Sequence, residues 1–284
     1  MGLGTTHQST ASLDVMIPEI WSSRMNDFYR QKLIAGSFFT DLSSELASGG
    51  DVIHIPSLTQ MTANTKTVNT QVVLKSSQED KVDLTVNTWK EVSFLIEDRE
   101  AQIVLNSYNL QERYMKNAAY TVANALEQAI IDLFAGFSQI TGASDTAVKD
   151  SDIRGAIKYL DIAFVPSEDR AFFFHPKAIW SDLMAIDRFT LVANTGGADP
   201  VLKGFVGYLY GIPVIMQGNI GITSGSGYRN ALAHKDAIIH AHTIMRTQAN
   251  YIPEYLGTLV TADILYGVVE NRDTSGVWIK CSSA

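Results

Sequence analysis

Two histidines separated by a single residue, His240 and His242, come closest to a chemical site in this chain. Side chains two positions apart on a β-strand point to the same face, so the two imidazoles could bind one metal ion. Such an ion needs further ligands, and the nearby candidates in sequence are Asp236 and Asp263. We interpret the two histidines as a surface or interface pair, and we predict neither a metal site nor a cofactor.

The sequence lacks the other common motifs of catalysis. The Gly-rich stretches at residues 195–197 and 225–227 are not followed by the Gly-Lys-Ser/Thr of a phosphate-binding loop. The sequence contains neither a His-Glu-x-x-His motif nor a Gly-x-Ser-x-Gly elbow. Cys281 is the single cysteine, and we interpret it as a packed strand residue rather than a reactive thiol. We therefore predict that the chain is not an enzyme.

Charge and composition describe an ordinary folded protein. The 284 residues carry a formal net charge of −8, with 46% hydrophobic and 18% charged residues. The acidic balance argues against binding nucleic acid through bulk electrostatics. No apolar run approaches the roughly 20 residues that cross a bilayer, and the polar residues 1–12 predict no signal peptide. The charge clusters at residues 27–30, 98–100 and 182–188 indicate solvated surface or contacts between subunits rather than acid–base pairs.

A long amphipathic helix is predicted over residues 97–137, with Asp98 as its N-cap and Gly136 as its end. It would span roughly 60 Å, whereas a compact domain of this length is about 40 Å across. Its apolar face contains Val104, Tyr108, Met115, Ala119, Val122, Leu126, Ile130 and Leu133, and its polar face contains Asn106, Asn109, Glu112, Arg113, Lys116, Asn117, Asn124, Glu127 and Asp132. Strict heptads are absent, so we expect the spine of a flat, elongated subunit rather than a coiled coil.

A long β-hairpin is predicted before this helix. Residues 51–58 form its first strand, and residues 81–96, which alternate apolar and polar side chains, form its second. Trp89 and Lys90 fall out of phase and indicate a bulge or a twist of the strand. Polar loops as long as residues 59–81 usually serve contacts. Because a two-stranded arm is marginal in water, we expect it to lie on a neighbouring molecule.

The remaining elements complete an α+β pattern. Helices are predicted over residues 17–46, where Gly36 ends the helix, and over residues 150–163 and 176–186. Strands are predicted over residues 171–174, 212–216, 237–241, 256–269 and 277–281. The first helix cannot form a core by itself, so it must lie on another part of the protein or on a neighbour.

Three local motifs, together with the order of the predicted elements, are similar to those of a known family. Residues 172–183 read Phe-Phe-Phe-His-Pro-Lys-Ala-Ile-Trp-Ser-Asp-Leu, residues 211–214 read Gly-Ile-Pro-Val, and residues 266–281 contain two strands. Their order resembles the major capsid protein of tailed bacteriophages, which has the Hong Kong 97 fold. The resemblance covers nearly the whole chain. It implies an α+β fold with an N-terminal arm (1–50), an extended β-hairpin loop (51–97), a peripheral domain with the spine helix (98–147 and 256–284) and an axial domain (148–255).

The resemblance implies a structural role in a virion. Copies of the chain would form pentamers and hexamers of an icosahedral shell around double-stranded DNA, assembled in the host cytoplasm. The implied partners are a separate scaffolding protein, since the arm begins almost at Met1, a portal protein and a decoration protein. We expect the chain to bind neither a membrane nor a specific nucleic-acid sequence. The expected intersubunit contacts are Trp21, Phe28, Met61, Lys66, Lys75, Trp89, Asp98, Arg99, Asp199 and Arg188.

Some members of that family crosslink a loop lysine to an asparagine of another subunit. Lys66 and Lys75 lie in the corresponding region, but neither a partner asparagine nor a catalysing carboxylate is identifiable, so we expect no crosslink. Two other functions fit the sequence less well. One is an encapsulin, a compartment of the same fold that holds cargo enzymes. The other is a metal enzyme that uses His240 and His242.

Overall fold

The computed structural model describes residues 30, 33–48, 50–58, 61–74, 79–99, 110–186, 207–223, 227–243 and 246–282. The α-helices of four or more residues in these ranges are α1 (Ala35–Phe38), α2 (Leu110–Asp132) and α3 (Asp150–Ile162), and residues 98–99 and 176–177 are also α-helical. The strands are β1 (Thr40–Asp41), β2 (Val52–Leu58), β3 (Glu79–Thr85), β4 (Thr88–Glu97), β5 (Ile140–Gly142), β6 (Arg170–Phe174), β7 (Tyr208–Leu209), β8 (Ile212–Met216), β9 (Ile222–Thr223), β10 (Gly227–His234), β11 (Ile238–His242), β12 (Arg246–Ile252), β13 (Gly257–Glu270) and β14 (Gly276–Cys281).

The first sheet is built along β13. One edge of β13 pairs with β4, and the other edge pairs first with β12 and then with β11, all antiparallel. The two-residue strand β1 adds to the outer edge of β11 in parallel, with Asp41 opposite His240. A 14-residue strand can accommodate two successive partners on one edge, which explains the length of β13.

The second sheet has the order β5-β14-β10-β6-β8-β7, with β9 paired to β10. Its strand β6 is buried on both faces, as its unbroken apolar run predicts. Phe172 and Phe174 enter the core under α3, whereas Phe173 enters a core on the opposite face. The strands predicted over residues 256–269 and 277–281 are β13 and β14, and they lie in different sheets.

Helix α2 packs against both sheets. Ala118 and Val122 lie in a cluster with Ala262, Ile264 and Tyr266 of the first sheet. About two to three turns later, Ile130, Ile131 and Phe134 lie in the core beside the second sheet. The helix therefore connects the two cores, as expected of a spine. In the parts of the chain that are described, no helix is both long and apolar enough to cross a membrane.

The predicted spine helix is described at both of its ends but not between them. Glu97 is the last residue of β4, Asp98 and Arg99 are helical, α2 begins at Leu110, and residues 133–136 form a 3-10 turn. Residues 100–109 lie outside the described residues. The 23 residues of α2 extend about 35 Å at the rise of an α-helix. Glu97 itself pairs with Gly257 of β13, and helix begins one residue later than predicted, at Asp98 and Arg99.

The hairpin also ends earlier than predicted. Strand β2 pairs with β3 over seven residues, from Val52 opposite Thr85 to Leu58 opposite Glu79. The predicted single strand over residues 81–96 is wrong, because the chain leaves the hairpin after Thr85 and re-enters a different sheet as β4. The irregularity thus falls at residues 86–87. No bulge occurs at Trp89 and Lys90, which keep an unbroken register with β13.

Two smaller predictions need correction as well. Gly36 was expected to end a helix, but it lies inside α1, and residues 17–29 and 31–32 of the segment predicted to contain that helix fall outside the described part of the chain. The segment predicted as a helix over residues 176–186 is helical from 176 to 185, but it changes from α-helix at 176–177 to a π-helical turn, Ala178–Asp182, and then to a 3-10 turn, Leu183–Ala185. In contrast, α3, β6 and β8 match their predicted ranges within one or two residues.

The crossing of the hairpin over the first sheet demands a glycine in β13. A Cβ added at Gly267 would lie 2.2 Å from the carbonyl oxygen of Thr85, the last residue of β3. Gly267→Ala should therefore push the hairpin away from the sheet and destabilise the protein by about 1–3 kcal/mol. The thermal unfolding midpoint of the purified chain measures this.

Gly221→Ala is the matched control, because the nearest atoms to its added Cβ are 3.9 Å away on the Arg229 side chain. Equal unfolding midpoints for the two variants would contradict the tight crossing at Gly267.

Candidate assembly surface

The hairpin and the loop it carries form the most exposed part of the described chain. Leu58, at the outer end of β2, is 75% exposed, and all of residues 61–74 are exposed. We call residues 61–74 the hairpin loop. Its apolar side chains are uncovered rather than folded back: Met61, Val68, Val72, Val73 and Leu74 are between 60% and 92% exposed. A run of uncovered apolar residues in one loop marks a contact surface.

The base of the hairpin, by contrast, is anchored. Leu84 and Val86 are buried in a cluster with Ile239 and Ala241 of β11, and Leu46 belongs to the same cluster. The face of the first sheet opposite α2 is therefore covered by the hairpin base. This arrangement holds the inner end of the hairpin against the core and leaves the outer end to project.

The Glu127 carboxylate fixes the N-terminal segment on the spine helix. This side chain is 3% exposed. Its Oε1 accepts hydrogen bonds of 2.7 Å from the backbone N–H groups of Ile34 and Ala35, and its Oε2 accepts one of 2.9 Å from Gly36. The first N–H groups of a helix have no partner within the helix, so Glu127 satisfies the start of α1. The side chain of Gln217 also donates to Oε1.

Aromatic packing strengthens the same attachment. Phe39 stacks on Phe173 with a centroid distance of 5.5 Å, and Phe134 lies 5.2 Å from the same ring. The three rings come from the segment after α1, from β6 and from the 3-10 turn that follows α2. The segment around α1 is thus fastened to the core by both polar and apolar contacts.

Five of the predicted contact residues are exposed in the structure: Met61, Lys66, Trp89, Asp98 and Arg99. Met61 and Lys66 lie in the hairpin loop, and the ammonium group of Lys66 donates to the carbonyl oxygens of Thr67 and Thr70 in the same loop. Trp89 is 68% exposed. Arg99 is exposed directly after β4.

Two of these predicted residues take part in side-chain hydrogen bonds at the sheet. Trp89 Nε1 donates to Asp263 at 3.2 Å, beside a cleft of about 260 Å³. Asp98 is exposed and accepts a hydrogen bond of 2.9 Å from the Tyr251 hydroxyl, which raises the pKa of Tyr251 above its ordinary value. The predicted residues Trp21, Phe28, Lys75, Arg188 and Asp199 lie outside the described residues.

The histidine pair is not the surface pair that the sequence suggests. His240 and His242 do share one face of β11, with ring centroids 6.3 Å apart, but His240 is only 2% exposed. Burial lowers the pKa of His240, although a hydrogen bond to the Gly36 carbonyl opposes that effect. The carboxylate next to the pair is Asp41 of β1. Asp263 instead pairs with Arg246 at 2.9 Å, and Asp236 lies beside His234.

Two further predicted side chains are found in the interior. Cys281 is fully buried in β14, as a packed strand residue should be, and this burial raises the pKa of its thiol. Asp182, which was assigned to a solvated cluster, is 4% exposed. Its carboxylate accepts a hydrogen bond of 3.1 Å from Val148 N and lies 3.4 Å from the ammonium of Lys177.

Sequence reasoning missed the roles of Glu127 and Asp41. Glu127 was placed on the polar face of the spine helix, where a carboxylate is usually solvated. Its partners lie more than 90 residues away, so no local pattern could identify them. Asp41 similarly lies about 200 residues from the histidines that it faces.

Removal of the Glu127 carboxylate should loosen α1. Glu127→Ala leaves three backbone N–H groups without an acceptor, and we expect a loss of about 2–4 kcal/mol in the free energy of unfolding. Amide hydrogen exchange at Ala35 and Gly36 should also speed up by more than tenfold. Exchange followed by mass spectrometry measures the local effect separately from global unfolding.

The matched control for this test is Glu112→Ala. Glu112 lies in the first turn of the same helix, is exposed and forms an ion pair with Lys116. Exposed pairs of this kind contribute only tenths of a kcal/mol. If exchange at Ala35 and Gly36 were unchanged in Glu127→Ala, the carboxylate would not be what holds α1.

Comparison with family models gave no match, and comparison with curated protein sequences gave none either. Solved structures do match over almost the full length. A structure from Mycobacterium phage Che8 has a TM-score of 0.81 and 22% identity, covering 93% of this chain and 96% of that chain. The capsid of cyanophage P-SCSP1u has a TM-score of 0.80 and 14% identity, covering 100% and 98%. The mature capsid of bacteriophage PhiM1 has a TM-score of 0.76 and 13% identity, covering 99% and 97%.

These matches confirm the fold that the order of elements predicts. At 12–22% identity the similarity lies in the path of the backbone rather than in individual side chains. The two sheets, the helix between them and the projecting hairpin together form the α+β fold of Hong Kong 97-like phage capsid structures.

Proposed function

We propose that this chain is the major capsid protein of a tailed bacteriophage and that its copies assemble into the icosahedral shell around the double-stranded DNA genome. The observation that carries the proposal is the full-length agreement in fold with structures of phage capsids, which leaves almost no residue of either chain unmatched. The role is structural rather than enzymatic. Its place is in the virion, after assembly in the host cytoplasm.

The exposed hairpin loop supports this function on physical grounds. Its apolar side chains gain nothing from exposure, whereas burial against a neighbouring copy would contribute about 25 cal/mol for each Å² of apolar surface covered. Two-stranded hairpins are marginal in water, and a neighbour supplies the missing support. We infer that the loop lies on the adjacent subunit in the shell.

Ring closure follows from contacts between unlike surfaces. A hairpin loop that projects from one side of a subunit must meet a different surface on the next copy, and repeated contacts of this kind close into rings when the rotation fits. We propose pentamers and hexamers on this basis. The described residues that we assign to these contacts, all exposed in the single chain, are Met61, Lys66, Trp89, Asp98 and Arg99.

The charge of the chain fits a container for DNA. A net charge of −8 disfavours tight binding of the phosphate backbone, so packaged DNA would not adhere to the wall. We propose that assembly uses a separate scaffolding protein, a portal protein at one vertex and a decoration protein on the outer surface. The division into arm (1–50), extended loop (51–97), peripheral domain (98–147 and 256–284) and axial domain (148–255) belongs to the same proposal.

Apolar contacts of the hairpin loop should be required for shells. The variant in which Val68, Val72, Val73 and Leu74 are all changed to Ser should keep the circular dichroism spectrum of the folded chain, because these residues are exposed. It should nevertheless yield at least tenfold fewer closed particles in negative-stain micrographs. Expression together with the neighbouring viral genes supplies scaffolding protein in both samples.

The control changes Asn64, Thr65, Thr67 and Gln71 of the same loop to Ser, which alters polar residues and retains the apolar ones. Normal particles from the Val and Leu variant would contradict the proposed loop contact. A parent chain that stays a monomer in the presence of the viral genes would contradict the capsid function itself. Closed, uniform particles from the chain alone would contradict the separate scaffolding protein.

Purified shells should dissociate fully to single chains. We expect no crosslink through Lys66 or Lys75, because neither a partner asparagine nor a catalysing carboxylate is identified for them. Boiling the shells in detergent and separating the chains by electrophoresis tests this. A ladder of covalent multimers would show that the expectation is wrong.

A further inference from the structure

A buried nitrogen of His240 has no hydrogen-bond partner in the structure. His240 Nε2 lies 2.9 Å from the carbonyl oxygen of Gly36, which can only accept, so Nε2 carries the ring proton. Nδ1 therefore presents a lone pair, and this atom is buried without a hydrogen-bond partner. The group that it faces is the Asp41 carboxylate, whose Oδ1 is 3.8 Å away. Two acceptors thus face each other with no hydrogen between them.

His242 brings a third ligand atom to the same place. One ring nitrogen of His242, one of His240 and a carboxylate oxygen of Asp41 all lie within 4.8 Å of one another. Among the residues that the structure describes, this is the one group of at least three His, Cys, Asp or Glu side chains so arranged. A cation between the three atoms would convert the facing lone pairs from a repulsive arrangement into a binding site.

We propose that Asp41, His240 and His242 bind a divalent transition-metal ion, best matched by Zn²⁺. Two imidazoles and one carboxylate form a common three-residue zinc ligand set, with a water molecule or another oxygen in the fourth position. Ligand atoms around tetrahedral zinc are about 3.3 Å apart, given bonds of about 2.0–2.1 Å. Small movements of the Asp41 and His242 side chains would close the present separations to that value.

The groups behind the ligands are already in place. The Gly36 carbonyl holds the tautomer of His240, as backbone carbonyls commonly do for metal-bound histidines. The backbone N–H of Ser43 donates to Asp41 Oδ1 at 2.8 Å, and the Ser43 hydroxyl contacts the same oxygen. Ser43 Oγ also lies 2.8 Å from His242 Nδ1. Asp41 is exposed and His242 half-buried, so an ion can enter from solvent.

The ion would clamp the N-terminal segment to the first sheet. Asp41 belongs to β1, a strand of two residues that is paired only with β11, and the two histidines belong to β11. A metal bond across this pairing would add a strong link where the backbone contributes few hydrogen bonds. The predicted effect is structural and independent of any assembly by the chain.

The test uses the full-length chain without an affinity tag, stripped with a chelator and dialysed. Titration calorimetry with Zn²⁺ should give one site per chain with micromolar or tighter affinity, and Co²⁺ should give visible absorption bands of a tetrahedral site. Zn²⁺ at a hundredfold excess over the dissociation constant should raise the unfolding temperature by about 5 °C. Mg²⁺ at the same concentration should not, because imidazole ligands do not suit it.

Asp41→Asn and His242→Gln should each weaken zinc binding at least tenfold and abolish the zinc-dependent rise in unfolding temperature. His240 is left unchanged because it is buried. The matched control is His54→Gln on the exposed hairpin. It removes a histidine whose Nδ1 lies 2.6 Å from Oδ1 of Asp83. The proposal would be overturned if the parent chain showed no saturable zinc binding. It would also be overturned if His54→Gln lost binding to the same extent as the other two variants, or if both Asp41→Asn and His242→Gln bound zinc as tightly as the parent chain.

Discussion

The structure depends on one buried carboxylate. Glu127 lies in the C-terminal half of α2, and its two oxygens together accept hydrogen bonds from three successive backbone N–H groups of the N-terminal segment. Burial of a charge is costly unless hydrogen bonds replace the lost water, and here the start of α1 supplies them. This requirement determines where the segment can lie. It also places β1 beside β11, and so brings Asp41 next to His240 and His242.

The elements that could be predicted from sequence are those specified by their own pattern. Strand β6 is a short apolar run, and its two faces are both buried. Helix α3 has an apolar face made by Ile153, Ala156 and Leu160, and all three residues are in the core. In both cases the local periodicity and the burial agree, so the prediction required no knowledge of distant partners.

The predictions that failed concern features that are determined by contacts with residues distant in the sequence. Val82, Leu84 and Val86 lie at even-numbered positions, as do Val92, Phe94 and Ile96. The apolar residues therefore keep the same parity on both sides of the point where β3 ends and β4 begins, with an interruption only at residues 88–90. The two strands are distinguished by their partners, because β3 pairs with β2 whereas β4 pairs with β13. Similarly, the burial of Glu127 and Asp182 is compensated by partners that neighbouring residues in the sequence do not reveal.

The contacts of α2 with both sheets have a mechanical consequence for the proposed shell. DNA packed at high density pushes outward, and the wall must carry the resulting tension through each subunit. Because Val122 is embedded beside one sheet and Phe134 beside the other, the two halves cannot slide past each other without exposing both side chains to water. A load applied at the hairpin base is thus shared with the opposite half of the molecule, and the weak seams of the particle lie between subunits rather than within them.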